Sequence, residues 1–134
     1  MNIQWTNGLS VNDSRIDKEH QLYFELLNHI YSETEKGASK EKLIRLLNEL
    51  TQFIRFHFMA EENVMIDVSY NDYDNHRSAH TYCLENMKTK MFEFKDGKIE
   101  ERAILDFATE WFLMHISSHD KKLGSYMALQ STTA

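Results

Sequence analysis

Four stretches of this chain carry hydrophobic residues three and four positions apart, the period of one face of an α-helix. The first spans residues 14–36, with the stripe Ile16, His20, Tyr23/Phe24, Leu27 and Ile30. The second spans 39–66, with Leu43, Leu47, Leu50, Ile54, His57, Glu61 and Val64/Met65. The third, 72–95, reads His76, His80, Cys83, Met87, Met91 and Phe94; the fourth, 98–123, reads Leu105, Ala108, Phe112 and His115. Alternation of period two, the strand signal, is sustained nowhere. The sequence has no proline to break a helix, and Gly37, Gly97 and Gly124 stand where three of the stretches end. Ser14 with Asp17 makes a capping-box-like start for the first stretch, and Asn71 or Asp72 suits the start of the third. Four long helices with short connections favour an antiparallel up-down-up-down bundle. The expectation is an all-α, single-domain protein over residues 1–134. It divides into an N-terminal arm (1–13) whose Trp5, Leu9 and Val11 pack on the outside, a four-helix bundle (14–124) and a C-terminal tail (125–134).

A chain of 134 residues is long enough to close one core. Its 42% hydrophobic and 27% charged residues are the composition of a folded, water-soluble domain. The single cysteine, Cys83, has no partner for an internal disulfide. A net charge of −6 disfavours nucleic acid, whose phosphates require a basic stripe. No apolar run approaches the ~18 residues of a membrane span. The N-terminal residues MNIQWTNG lack the basic and apolar regions of a secretory signal. These features point to a cytoplasmic protein.

Polar residues interrupt the stripes in a concerted way. His20, His57, Glu61, His76, His80 and His115 occupy positions where the period calls for a hydrophobe. Burying an unpaired carboxylate among imidazoles costs several kcal/mol, so the set needs a partner. A bound cation is the natural one, because imidazole nitrogen and carboxylate oxygen both ligate iron, zinc or manganese. In an up-down-up-down bundle the starts of helices one and three lie level with the ends of helices two and four. At a rise of ~1.5 Å per residue, these six residues and Asp120 fall within a turn or two of the same end. His57–Glu61 and His76–His80 are i,i+4 pairs, ~40° apart round the helix, so both members of each face one site. Asp120, five residues after His115, is rotated by ~140° on an ideal helix. His119, at i+4, is geometrically better placed, and spacing alone does not choose between them. His29, nine residues after His20, faces outward or sideways.

Five histidines plus carboxylates exceed the four ligands of a tetrahedral ion. The HExxH of many zinc enzymes is absent, as are the Glu-x-x-His pairs of carboxylate-rich di-iron bundles. The set suits two octahedral-type ions sharing carboxylates. With these motifs the chain resembles the hemerythrin family in its bacterial single-domain form. The resemblance runs from Trp5 and Gly8-Leu9-Ser10-Val11 through Ile16-Asp17-x2-His20 and His57-Phe58-x2-Glu61-Glu62. It continues with His76-x3-His80 and His115-Ile116-x3-Asp120. It implies that His76, His80 and His115 hold one iron and His20 and His57 the other. Glu61 and Asp120 then bridge both, with an oxo or hydroxo group as third bridge, and Asp120 is preferred to His119. It further implies an open position on the His20/His57 iron, where O2 binds and is reduced to a hydroperoxide as the pair passes from Fe2+ to Fe3+. The implied function is reversible dioxygen binding for transport, storage or local supply, without enzymatic turnover.

Reversible binding requires that water and protons be kept from the open position. Tyr23, Phe24, Phe53, Trp111, Phe112 and Met114, each within about a turn of a ligand, are the candidates for an apolar O2 pocket. A Tyr23 hydroxyl pointing inward would donate a hydrogen bond there. Two other functions fit the same motifs. A di-iron enzyme acting on O2, peroxide or nitric oxide would need an external reductant and a donor or water path. An oxygen sensor would act through a separate partner. The acidic balance suits docking to a basic, oxygen-consuming protein. Cys83, Met87 and Met91 read as packing residues, and Glu62 as exposed or as the partner of a ligand imidazole.

Overall fold

The computed structural model describes residues 3–133, with side chains to residue 130. Its helices are α1 (Ser14–Glu35), α2 (Lys40–Asp67), α3 (Tyr73–Lys95), α4 (Glu101–His115) and α5 (Lys121–Thr133), with a π-wound turn (Ile116–Asp120) between α4 and α5. His115, Ile116 and Lys121 all keep right-handed helical dihedrals, so α4, the π turn and α5 form one continuous rod. Each rod packs on its sequence neighbours and α1 closes on α4, giving the all-α four-helix bundle. Among the described residues there is no strand, and no helix is long and apolar enough to cross a membrane.

Local chemistry sets the ends of the rods. Asp13, one residue earlier than expected, caps α1 by accepting from the Ile16 amide at 2.9 Å. Asp17 is not part of a capping box. Its carboxylate accepts from Ser10 Oγ at 2.6 Å and the Val11 amide at 2.9 Å, and so ties the arm to α1. Ser39 caps α2, accepting from the Lys42 amide at 3.2 Å. Asp72 occupies the cap position of α3, but its side chain bonds Lys122 Nζ at 2.8 Å instead of the helix amides. Gly37 and Gly97 take φ of 79° and 77° after α1 and α3, where a left-handed residue lets the following amides reach back to the last carbonyls.

Gly124 does not end a helix. The last rod runs on to Thr133, so most of the expected C-terminal tail is helical. A Cβ at position 124 would land on the Val11 carbonyl; this glycine serves the close approach of the arm and not a turn. The arm carries a 3-10 turn (Asn7–Leu9), and Asn28 grips Ile3 through both of its backbone groups at 2.7 Å. Val11 is buried, with Trp5 and Leu9 half-buried against the core. The middle of the bundle is filled by Leu27, Leu47, Leu50, Ile54, Met87, Ile104 and Leu105. One end holds polar residues instead.

Candidate metal centre

At that end the start of α1, the end of α2, the start of α3 and the α4–α5 junction converge. His20, His57, Glu61, His76, His80, His115 and Asp120 meet there, none of them more than 3% exposed. Their donor atoms fall into two groups, each within 4.8 Å of one another: Glu61, His76, His80, His115 and Asp120 in one, His20, His57, Glu61 and Asp120 in the other. The two carboxylates belong to both, and they divide their oxygens between the groups. Glu61 Oε1 lies 2.8 Å from His76 Nε2 and 3.1 Å from His80 Nε2, while Oε2 lies 3.0 Å from His57 Nε2. Asp120 Oδ1 lies 3.1 Å from both His76 Nε2 and His115 Nε2, while Oδ2 lies 3.1 Å from His20 Nε2.

The helix itself makes Asp120 available. From Ile116 to Asp120 the backbone is π-wound, and the Lys121 amide donates to the Ile116 carbonyl five residues back. Winding at i→i+5 puts more residues into each turn than an α-helix has, so Asp120 is turned back toward the face of His115. His119 is carried to the side. It is half-buried, with its ring 5.0 Å from that of His115 and 5.3 Å from that of His76. Burial and those two imidazoles push its pKa down.

The donor set fits metal ions. His20 Nε2, His57 Nε2, Glu61 Oε2 and both Asp120 oxygens are buried without a hydrogen-bond partner of proper geometry, although all point at one another. Such a cluster is costly unless a cation replaces the missing partners. Its electrostatics agree. Burial disfavours charge on His57, yet Glu61, Glu19 and Asp120 hold its pKa up at about 10. His76, likewise buried, is held at about 9 by Asp120 and Glu61. Glu61 is buried too, but the imidazoles, His57 foremost, keep it well below the usual carboxylate range. Asp120 is lowered despite burial and the nearby Glu61, through His115 and His20. Protons on imidazole thus stand where metal ions would bind, and the two compete.

Aromatic rings wall the cluster. Phe112 sets its edge against His20 at 4.9 Å and against His57 at 6.4 Å. Tyr23 stacks on Phe112 at 3.7 Å, with Phe24 5.6 Å from it, and Phe53 lies parallel to His57 at 6.3 Å. The other two pocket candidates lie elsewhere. Trp111 stacks on His115 at 4.4 Å, on the five-donor side, and Met114 is 71% exposed, being only one residue from His115 and therefore a quarter-turn or more off its face. The Tyr23 hydroxyl does not enter the cluster; it donates to the Ala108 carbonyl at 3.1 Å. Sequence reasoning missed Phe58, whose ring stacks on His80 at 3.9 Å, although its place next to His57 on a buried face was a usable signal. It also missed Glu19, whose partner is on another helix. Glu62 meets an imidazole of the cluster, that of His80. Cys83 is buried and its thiol is pushed up to about 12 by that burial, which makes it a packing group.

Residues 12–126 match the family model described as the hemerythrin HHE cation binding domain. Similar proteins include a bacteriohemerythrin of Clostridium acetobutylicum, 26% identical over 88% of this chain and 95% of that one. A myohemerythrin of Theromyzon tessulatum is 27% identical over 89% of this chain and 88% of its own length. Among solved structures, that of a wild-type hemerythrin superposes with a TM-score of 0.85 at 23% identity, covering 93% of this chain and 97% of the other, a likeness of fold.

Proposed function

Starting from the chain's membership of the hemerythrin family, we propose that it binds dioxygen reversibly at a non-haem di-iron site, as a carrier, store or local supplier of oxygen. The observation that carries this reading is the unequal division of donors, five on one side and four on the other, with Glu61 and Asp120 common to both. On this reading His76, His80 and His115 hold one iron and His20 and His57 the other. Glu61 and Asp120 bridge them, together with an oxo or hydroxo group. The poorer side, at His20 and His57, keeps a position free for O2. When bound, the iron pair supplies the two electrons that O2 takes up.

The chain's own residues supply the rest. Phe112, backed by Tyr23 and Phe24, covers His20, and Phe53 covers the flank of His57. These rings exclude the water that would release reduced oxygen. The Tyr23 hydroxyl is committed to Ala108 and brings no proton to the open side. This favours binding over turnover, since an enzyme would need a donor there. A cytoplasmic setting suits a site that must stay reducible, and a net charge of −6 suits docking to a basic, oxygen-consuming partner.

Reconstitution under anaerobic conditions tests the reading. Two irons per chain, with uptake of one O2 per pair and its release on lowering the gas pressure, are expected. One tightly held zinc per chain, or irons that consume O2 without releasing it, would overturn it.

A further inference from the structure

Two of the five buried imidazoles are held from behind by a carboxylate, and three are not. His57 Nδ1 donates to Glu19 Oε1 at 2.7 Å, and His80 Nδ1 donates to Glu62 Oε2 at 2.8 Å. A carboxylate only accepts, so each contact fixes a proton on Nδ1 and leaves Nε2 as the nitrogen that faces the cluster, the atom that would bind an ion once its own proton is displaced. Nδ1 of His20, His76 and His115 is buried without such a partner. The two supports fall one to each group of donors, since His57 belongs to the four-donor set and His80 to the five-donor set. Both run outward to an arginine, Arg15 at 3.0 Å from Glu19 and Arg77 at 3.9 Å from Glu62. The supporting glutamates sit on different helices and reach solvent, with side chains 13% and 22% exposed.

We infer that Glu19 and Glu62 are positioning residues, each governing how tightly the ion on its own side is held, so that the two halves of the centre are tuned separately. The inference rests on the two-ion reading above. An ionised acceptor behind an imidazole stops the ring from turning and makes its inner nitrogen a better donor. Loss of such a partner typically costs about 10–100-fold in metal affinity. Glu19 stands behind the side with fewer protein donors, so the ion with the free position depends on a contact that the other ion does not share.

Titration of the whole chain with Co(II), followed by equilibrium dialysis and visible absorption, tests this. The unmodified chain should take two ions. Glu19→Gln should weaken one step and Glu62→Gln the other, each by about 10-fold. The alanine variants should lose about 100-fold, because the glutamine amide oxygen still accepts the Nδ1 proton. Each single variant should keep the absorption component that the other loses, and the double variant should weaken both steps. Helix content of the metal-free variants should be unchanged. If both substitutions weaken the same step, both steps equally, or neither, while two ions still bind the unmodified chain, the inference is overturned and the two-ion reading stands. Loss of helix in the metal-free glutamine variants would make the role structural and overturn it as well. An unmodified chain that takes one Co(II) would overturn the two-ion reading and the inference with it.

Discussion

Asp120 Oδ1 lies 3.1 Å from His115 Nε2 although five residues separate them, because the helix between is π-wound. The second oxygen of the same carboxylate faces His20 at 3.1 Å, so one side chain serves both halves of the centre. Asp120→Ala should therefore release both ions, whereas His119→Ala should keep both. Metal analysis after desalting checks this; full loading of the Asp120 variant would show that the aspartate is not a shared ligand.

Gly124 lies within a helix, where alanine would ordinarily be favoured by roughly 0.5–1 kcal/mol. Here the added Cβ meets the Val11 carbonyl, and either the arm or the helix must give way. Gly124→Ala should destabilise the protein by about 1–3 kcal/mol, read as a lower denaturation midpoint. A raised midpoint would mean that the arm does not rest on the last rod.

Tyr23 and Phe112 stack on each other but should answer differently to substitution. The Tyr23 hydroxyl bonds Ala108 and not the cluster, so Tyr23→Phe should cost about 1 kcal/mol of stability and leave the lifetime of the O2-bound form unchanged. Phe112→Leu opens space beside His20 and His57 and should shorten that lifetime by admitting water. Stopped-flow decay rates separate the two, and a shortened lifetime in Tyr23→Phe would place the hydroxyl in the O2 pocket.

The metal-free protein should be pH-sensitive in a defined direction. His57 and His76, at about 10 and about 9, lie above the unfolded value near 6.5. Their contribution is complete below pH ~6.5 and is lost as pH rises through the folded values. Glu61 and Asp120 are lowered, so theirs is present above about pH 4.5 and lost on acidification. The metal-free melting temperature should peak between these limits and fall toward pH 10. Bound ions replace the protons and should flatten the alkaline fall; parallel curves with and without iron would contradict this.

Much of the fold was readable because helix period and rise are fixed. Ile16, Leu27, Leu47 and Met87 announced their faces, and the common height of His20, His57, His76 and His115 located the site. What escaped depends on contacts between elements or on altered winding. Gly124 resembles a helix terminator until the arm that packs against it is seen. His119 is the better partner of His115 on an α-helix, and it is the π turn that swings Asp120 back within reach of His115. Trp111 shares the face of His115, but periodicity does not say on which side of the cluster that face lies. Glu19 supports an imidazole of another helix, a relation that no spacing along α1 encodes.

The centre built on His20, His57, Glu61, His76, His80, His115 and Asp120 should bind O2 reversibly. The most direct test is the visible spectrum of the iron-loaded, anaerobically reduced protein as O2 is admitted and withdrawn. A band should grow with O2 pressure, disappear on deoxygenation over repeated cycles, and be absent in His76→Ala. A single irreversible change to the ferric spectrum with release of peroxide, or an unaltered band in the His76 variant, would contradict it.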